Sequence, residues 1–161
     1  MSGGGSSSSN PVVVSASGKH TATLIFLHGL GDTGHGWASS LAEIRQDHVK
    51  IICPTAPVTS VTLNHGKVQL LSPYVSQRSS SYFQTNVVVV GFQMPAWFDL
   101  MSLDPSGPED EKGIEKSNAN LTKIIDEEIN NGIDPSRIVI GGFSQGGALA
   151  IYMGLTGKHT V

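Results

Sequence analysis

The chain has little with which to cross-link itself, bind a polyanion or enter a membrane. Cys53 is its single cysteine, so no internal disulfide can form. Residues 1–11 carry neither the charged start nor the apolar run of a secretory signal, and a cytoplasmic, reducing compartment is the expectation. Charged residues make up 14%, against roughly 25% in an average soluble domain. With 10 basic and 13 acidic residues the net charge is -3, so no basic surplus exists to neutralise a phosphate backbone, and no nucleic-acid partner is expected. The most strongly apolar run, residues 87–90 with Phe92 nearby, falls far short of the roughly 20 residues of a transmembrane helix. Ser2 stands where N-myristoylation requires glycine.

What is abundant is small: 19 glycines and 20 serines in 161 residues, a length that suits one domain. Residues 1–18, which begin with a Gly/Ser tract unable to bury apolar surface, are expected to be a flexible tail. The remaining 19–161 are expected to form one domain, interrupted by an insertion at 65–93 whose only charges are Lys67 and Arg78. That segment suits a surface loop, because loop closure costs only about 0.6 kcal/mol per doubling of length. Its uncharged, β-branched 87–90 run also carries the signature of an aggregation-prone strand.

Elsewhere strands and helices alternate. Residues 23–28 (TLIFLH) read as a buried strand closed by glycines, and Trp37, Leu41 and Ile44 recur at helical spacing over 36–47. Residues 50–53 predict a second strand, stopped by Pro54. After the proline-containing loop 104–110, acidic Glu109, Asp110 and Glu111 suit the positive end of a long helix that Gly132 terminates. Residues 137–142 (RIVIGG) predict another buried strand and 148–155 a last helix. This order implies an α/β fold, a parallel sheet covered on both faces.

Residues 142–146 (GFSQG) match G-x-S-x-G, in which a serine occupies a tight strand-to-helix turn. In so Gly/Ser-rich a chain the pattern alone is weak, and its setting supplies the specificity. It follows an apolar strand and opens an apolar helix, which places Ser144 at the carboxyl edge of the sheet and at the positive end of a helix dipole. Ser144 is therefore the candidate nucleophile, the alternative being a serine that only caps its helix. An acyl-transfer oxyanion needs two N–H donors, one from the residue after the nucleophile, Gln145, and one from an upstream loop. The glycine-flanked Leu30 of residues 28–31 (HGLG) is the candidate for the second. Gly29, Gly31 and Gly34 also fit a dinucleotide fingerprint, but the second strand ends in Cys53, Pro54 and Thr55 without the acid that should bind a ribose. Cys53 itself reads as a buried core thiol.

Four segments, HGLGDTGHGW (28–37), ICPTAPVTSVTLN (52–64), MPAWFD (94–99) and GGFSQGGALA (141–150), appear in this order, and with them the chain resembles the acyl-protein thioesterases, lysophospholipase-type carboxylesterases. The resemblance implies an α/β-hydrolase fold, no metal or cofactor, and cytosolic hydrolysis of acyl thioesters on S-palmitoylated proteins and of lysophospholipid esters. It matches Ser144 to the nucleophile and Leu30 and Gln145 to the oxyanion donors.

In that fold the triad runs Ser, Asp, His. After Ser144 this chain has no Asp or Glu, and its one histidine, His159, stands 15 residues on, about 20 Å along a helix and far beyond proton-transfer reach. An upstream pairing of His35 with Asp32 or Asp99 would belong to a different scaffold. The expectation is an incomplete, mostly parallel sheet lacking the C-terminal strands, with a hydrophobic open edge that favours weak self-association. Two readings follow. The chain is a serine hydrolase of the thioesterase type acting through an acyl-Ser144 intermediate, inactive alone for want of its acid and base. Otherwise it is a non-catalytic, misfolding-prone fragment, or a decoy that binds acyl chains or partners.

Overall fold

The computed structural model describes residues 10–62 and 92–159. Four strands form the main sheet: β1 (Val12–Val14), β2 (Ala22–Leu27), β3 (Val49–Cys53) and β6 (Ile138–Gly142), in the order β1-β3-β2-β6. β3, β2 and β6 run parallel, with Leu24 opposite Ile51 on one side and Val139 on the other. β1 joins antiparallel, Val13 opposite Ile52. Two further strands, β4 (Val58–Val61) and β5 (Phe92–Pro95), make a separate antiparallel ribbon.

Alternation along β2 builds two cores. Ile25 and Leu27, fully buried, face α2 (Glu111–Asn130) and α3 (Gln145–Thr156), where Leu121, Ile125, Leu149 and Met153 complete the packing. Leu24 and Phe26 face the opposite way, toward α1 (Gly34–Ile44), with Ala38, Trp37 and Leu41. Each fully buried Ile or Leu contributes about 1.5–3 kcal/mol, so β2 is the mechanical centre of the molecule.

Local chemistry sets the ends of these elements. The Asp110 carboxylate accepts the Gly113 N–H at 3.0 Å as the N-cap of α2, and Gly132, at φ +92°, ends the helix in the left-handed conformation. Gly34 opens α1 against β3: a Cβ there would overlap the Cys53 carbonyl. The third glycine of the apparent dinucleotide fingerprint is thus explained by strand–helix contact.

Three expectations change. Val12–Val14, assigned to the tail 1–18, is an edge strand, because three β-branched residues pair with β3 and put Val12 and Val14 against the α1-side core. The helix expected over 36–47 starts at Gly34 and stops at Ile44, since Arg45 is extended. The last helix begins three residues earlier than expected, at Gln145. Of the expected insertion 65–93, residues 65–91 lie outside the described residues, whereas Phe92 and Gln93 belong to β5, with Gln93 opposite Ser60. β6 has β2 as its one neighbour among the described residues, and Val139 and Phe143 beside it, like Ile151 and Leu155 on α3, are exposed.

Candidate active site

β6 ends at Gly142 and α3 starts at Gln145, which leaves Phe143 and Ser144 to turn the chain. Ser144 takes φ +51° and ψ -119°, and it alone among the described non-glycine residues has positive φ. Such a conformation costs about 1–3 kcal/mol and persists only where its surroundings hold it. Here the Phe143 N–H donates to the Leu27 carbonyl at 2.9 Å and the Gly146 N–H to the Phe143 carbonyl at 3.0 Å. The motif glycines are steric necessities: a Cβ on Gly142 would lie 2.5 Å from the Gly146 carbonyl carbon, and one on Gly146 would collide with the Leu27 carbonyl. The Ser144 side chain caps nothing, and its hydroxyl has no hydrogen-bond partner among the described residues.

The turn after β2 comes up beside this serine. A Cβ on Gly29 would stand 3.1 Å from the Phe143 Cδ1 and 3.4 Å from the Ser144 Cβ, so glycine lets the two turns approach closely. Gly31, at φ +78°, completes the turn, and its N–H donates to the Pro95 carbonyl at 2.9 Å. Leu30, Ser144 and Gln145 line one mainly apolar groove of about 490 Å³ with Leu100, Met101, Leu103, Ile114 and Tyr152. The backbone N–H groups of Leu30 and Gln145 have no acceptor among the described residues. The structure thus brings together all three residues that the sequence singles out.

His28 is fully buried, and its two ring nitrogens have defined roles. Nε2 accepts the Ala56 N–H at 3.0 Å, and Nδ1 lies 2.7 Å from the Gly29 carbonyl, which can only accept. The ring is therefore the neutral Nδ1–H tautomer. Burial pushes its pKa below the ordinary value, against the opposing pull of the Gly29 carbonyl and the Asp32 charge.

The other described histidines serve elsewhere. His20 sits 2.9 Å from the Thr23 hydroxyl, His35 and His48 are exposed, and His159 bonds Asp126 of α2 at 2.7 Å, beyond the far end of α3 from Ser144. Asp32 accepts the Thr33 N–H and the Trp37 indole N–H, and Asp99 accepts the Thr62 N–H and hydroxyl. Among the described residues no imidazole hydrogen-bonds to Ser144, and no three His, Cys, Asp or Glu side chains gather as a metal site. Cys53 is buried, and burial raises its pKa to about 11.

Sequence reasoning missed the side chains of Trp97 and Gln145. The Gln145 Oε1 accepts the Trp97 N–H at 3.0 Å and its Nε2 donates to the Phe98 carbonyl at 2.9 Å. The Trp97 indole N–H donates to the His28 carbonyl at 2.8 Å. The one signal was the MPAWFD segment, which says nothing by itself about what its tryptophan would touch.

Parallel strands covered on both faces, with a serine in a left-handed strand-to-helix turn at their carboxyl edge, define an α/β-hydrolase. The chain belongs to the phospholipase/carboxylesterase family, whose profile matches residues 8–71 and 71–161. It is 42% identical over 157 residues to acyl-protein thioesterase 1 of Neurospora crassa, covering 92% of this chain and 54% of that protein. It is 40% identical over 155 residues to acyl-protein thioesterase 1 of Gibberella zeae, covering 91% and 55%. Among solved structures it is similar to acyl-protein thioesterase 2 of Zea mays, with TM-score 0.63 and 30% identity over 89% of this chain and 49% of that one. The chain spans about half the length of the curated relatives it matches. No helix among the described residues is long and apolar enough to cross a membrane.

Proposed function

We propose that this chain carries the nucleophile and the oxyanion cradle of a hydrolase of long-chain acyl thioesters on S-acylated proteins, with lysophospholipid esters as related substrates. The observation that carries this reading is Ser144, held at φ +51° with an unused hydroxyl at an apolar groove. The names of the thioesterase relatives support the substrate class.

In this reading the Ser144 Oγ attacks the acyl carbonyl carbon while the C=O electron pair moves onto oxygen, which takes hydrogen bonds from the Leu30 and Gln145 N–H groups. Collapse of the adduct breaks the carbon–sulfur bond, the thiol leaves with a proton, and water then releases the fatty acid from acyl-Ser144. The serine proton needs an acceptor, and no described histidine supplies one. On these residues alone the rate is then limited to the residual from oxyanion and binding effects, about 10³–10⁴ over water.

A fluorophosphonate probe followed by peptide mass spectrometry tests the reading. The 161-residue chain is expected to be modified at Ser144, slowly, and faster when imidazole is added as an external base; Ser144→Ala abolishes the modification. Reaction at another serine, or none in folded protein, overturns it. The same lack of an imidazole favours one second reading, acyl binding without hydrolysis, for which palmitate binds while Ser144 stays unmodified even with imidazole present.

A further inference from the structure

We propose that the Gln145 carboxamide and the His28 imidazole, joined through Trp97, are positioning residues that hold the Leu30 and Gln145 N–H groups at a fixed separation around Ser144. The proposal rests on the reading of Ser144 as nucleophile and adds to it the device that keeps its two oxyanion donors in register.

Leu30 and Gln145 are 115 residues apart and sit on different elements, so backbone geometry local to either cannot fix the distance between them. On the strand side the β2–β6 ladder and the Phe143 N–H on the Leu27 carbonyl join the two segments, and on the other side a continuous chain of hydrogen bonds does. From the α3 side the Gln145 carboxamide grips residues 97 and 98 at two points, the Trp97 N–H at 3.0 Å and the Phe98 carbonyl at 2.9 Å. From there the Trp97 indole N–H reaches the His28 carbonyl at 2.8 Å, at the root of the turn that carries Leu30. The His28 ring then bridges the Gly29 carbonyl at 2.7 Å and the Ala56 N–H at 3.0 Å, and it packs on Trp97 with ring centroids 5.0 Å apart. Ser117 of α2 closes the far side by donating to the Trp97 carbonyl.

Two features distinguish this from ordinary satisfaction of core polar groups. Gln145 is 8% exposed in the first turn of a helix otherwise buried through Leu149, Ala150 and Met153, where an aliphatic side chain would pack without needing two partners. Apart from the Ala56 N–H, every link ends on the backbone of a segment bearing a donor or on the strip 97–98 between them, so losing one such link loosens one donor relative to the other. A displacement of about 1 Å at such a donor can cost about a hundredfold in rate.

The test uses the full 161-residue chain, ¹⁵N-labelled, and two variants. Gln145→Leu removes both carboxamide bonds while keeping the backbone N–H, and Trp97→Phe removes only the indole donor and keeps the ring packing. In two-step fluorophosphonate kinetics both variants are expected to lower the inactivation rate constant about tenfold or more, with the reversible binding constant changed less than about twofold. The Leu30 amide resonance should shift in Gln145→Leu, and the Trp97 amide should exchange faster with solvent. Inactivation within twofold of wild type in either folded variant overturns the proposal, as does an unmoved Leu30 resonance. If wild type is not labelled at all, the nucleophile reading fails while the Leu30 and Trp97 amides still decide whether the brace exists. If Gln145→Leu does not fold, Trp97→Phe carries both measurements.

Discussion

β2 carries a buried polar cluster at each end, and the two are built on opposite principles. At its start, Thr23 donates to Glu128 at 2.7 Å, and Glu128, 2% exposed on the inner face of α2, pairs with Lys50 at 2.6 Å. At its end, the His28–Trp97–Gln145 network is equally buried and contains no charge among its ring, indole and carboxamide groups. The charged cluster ties α2 to two strands and lies a strand's length from Ser144. The neutral one touches the turn that bears Leu30 and the helix that starts beside the serine. In the reading proposed above, a charged brace next to Leu30 and Gln145 would impose its own field on a developing oxyanion, whereas neutral bonds fix geometry without that bias.

The largest effect should come from breaking the charged end. Glu128→Leu leaves Lys50 unpaired and takes the carboxylate acceptor from Thr23, and about 3–5 kcal/mol of stability should be lost in urea titrations. Lys50→Met added to Glu128→Leu should recover much of that loss, because the orphaned charge is gone. In neither variant should the labelling rate of Ser144 per folded molecule change; a large change would mean the two ends are coupled.

Acid should act on the neutral end. The unfolded chain takes up a proton at His28 near its ordinary value of 6.5, whereas burial keeps the folded ring neutral to lower pH. The folded state therefore binds fewer protons there, so this contribution to stability is fully present above about pH 6.5 and declines as the pH falls below it. Urea midpoints between pH 7.5 and 5 should fall more steeply for wild type than for His28→Gln, in which no imidazole titrates; equal slopes would contradict the neutral assignment.

A last signal lies outside both networks, at Cys53, buried at the end of β3. With a pKa of about 11, its thiol should react with a disulfide reagent at pH 8 roughly a hundredfold more slowly than a free thiol and become reactive only on unfolding. Its reaction rate then serves as an independent clock for global opening in the variants above.

Much of the frame was legible because its causes are local. Apolar runs bounded by glycine and proline marked β2, β3 and β6, and the acidic start with Gly132 marked α2. The G-x-S-x-G turn could be placed for the same reason, since its glycines answer contacts within a few residues or with the adjacent strand. β1 escaped because a valine triplet beside a Gly/Ser tract becomes a strand only when β3 offers an edge. Glu128 carried no local signal of its role, since its partners Thr23 and Lys50 lie 105 and 78 residues away.

The amino-acid order by itself determined the alternating α/β frame, the left-handed serine turn and the glycine-flanked loop opposite it, because these depend on backbone sterics and on patterning over a few residues. Only the tertiary structure decided which polar side chains joined the neutral His28–Trp97–Gln145 network, which became a buried ion pair, and that no described histidine hydrogen-bonds to Ser144. Those outcomes rest on hydrogen bonds across as many as 105 residues. The donors and acceptors in such bonds leave no periodic trace, so their partners emerge only when the packed core brings distant segments within about 3 Å.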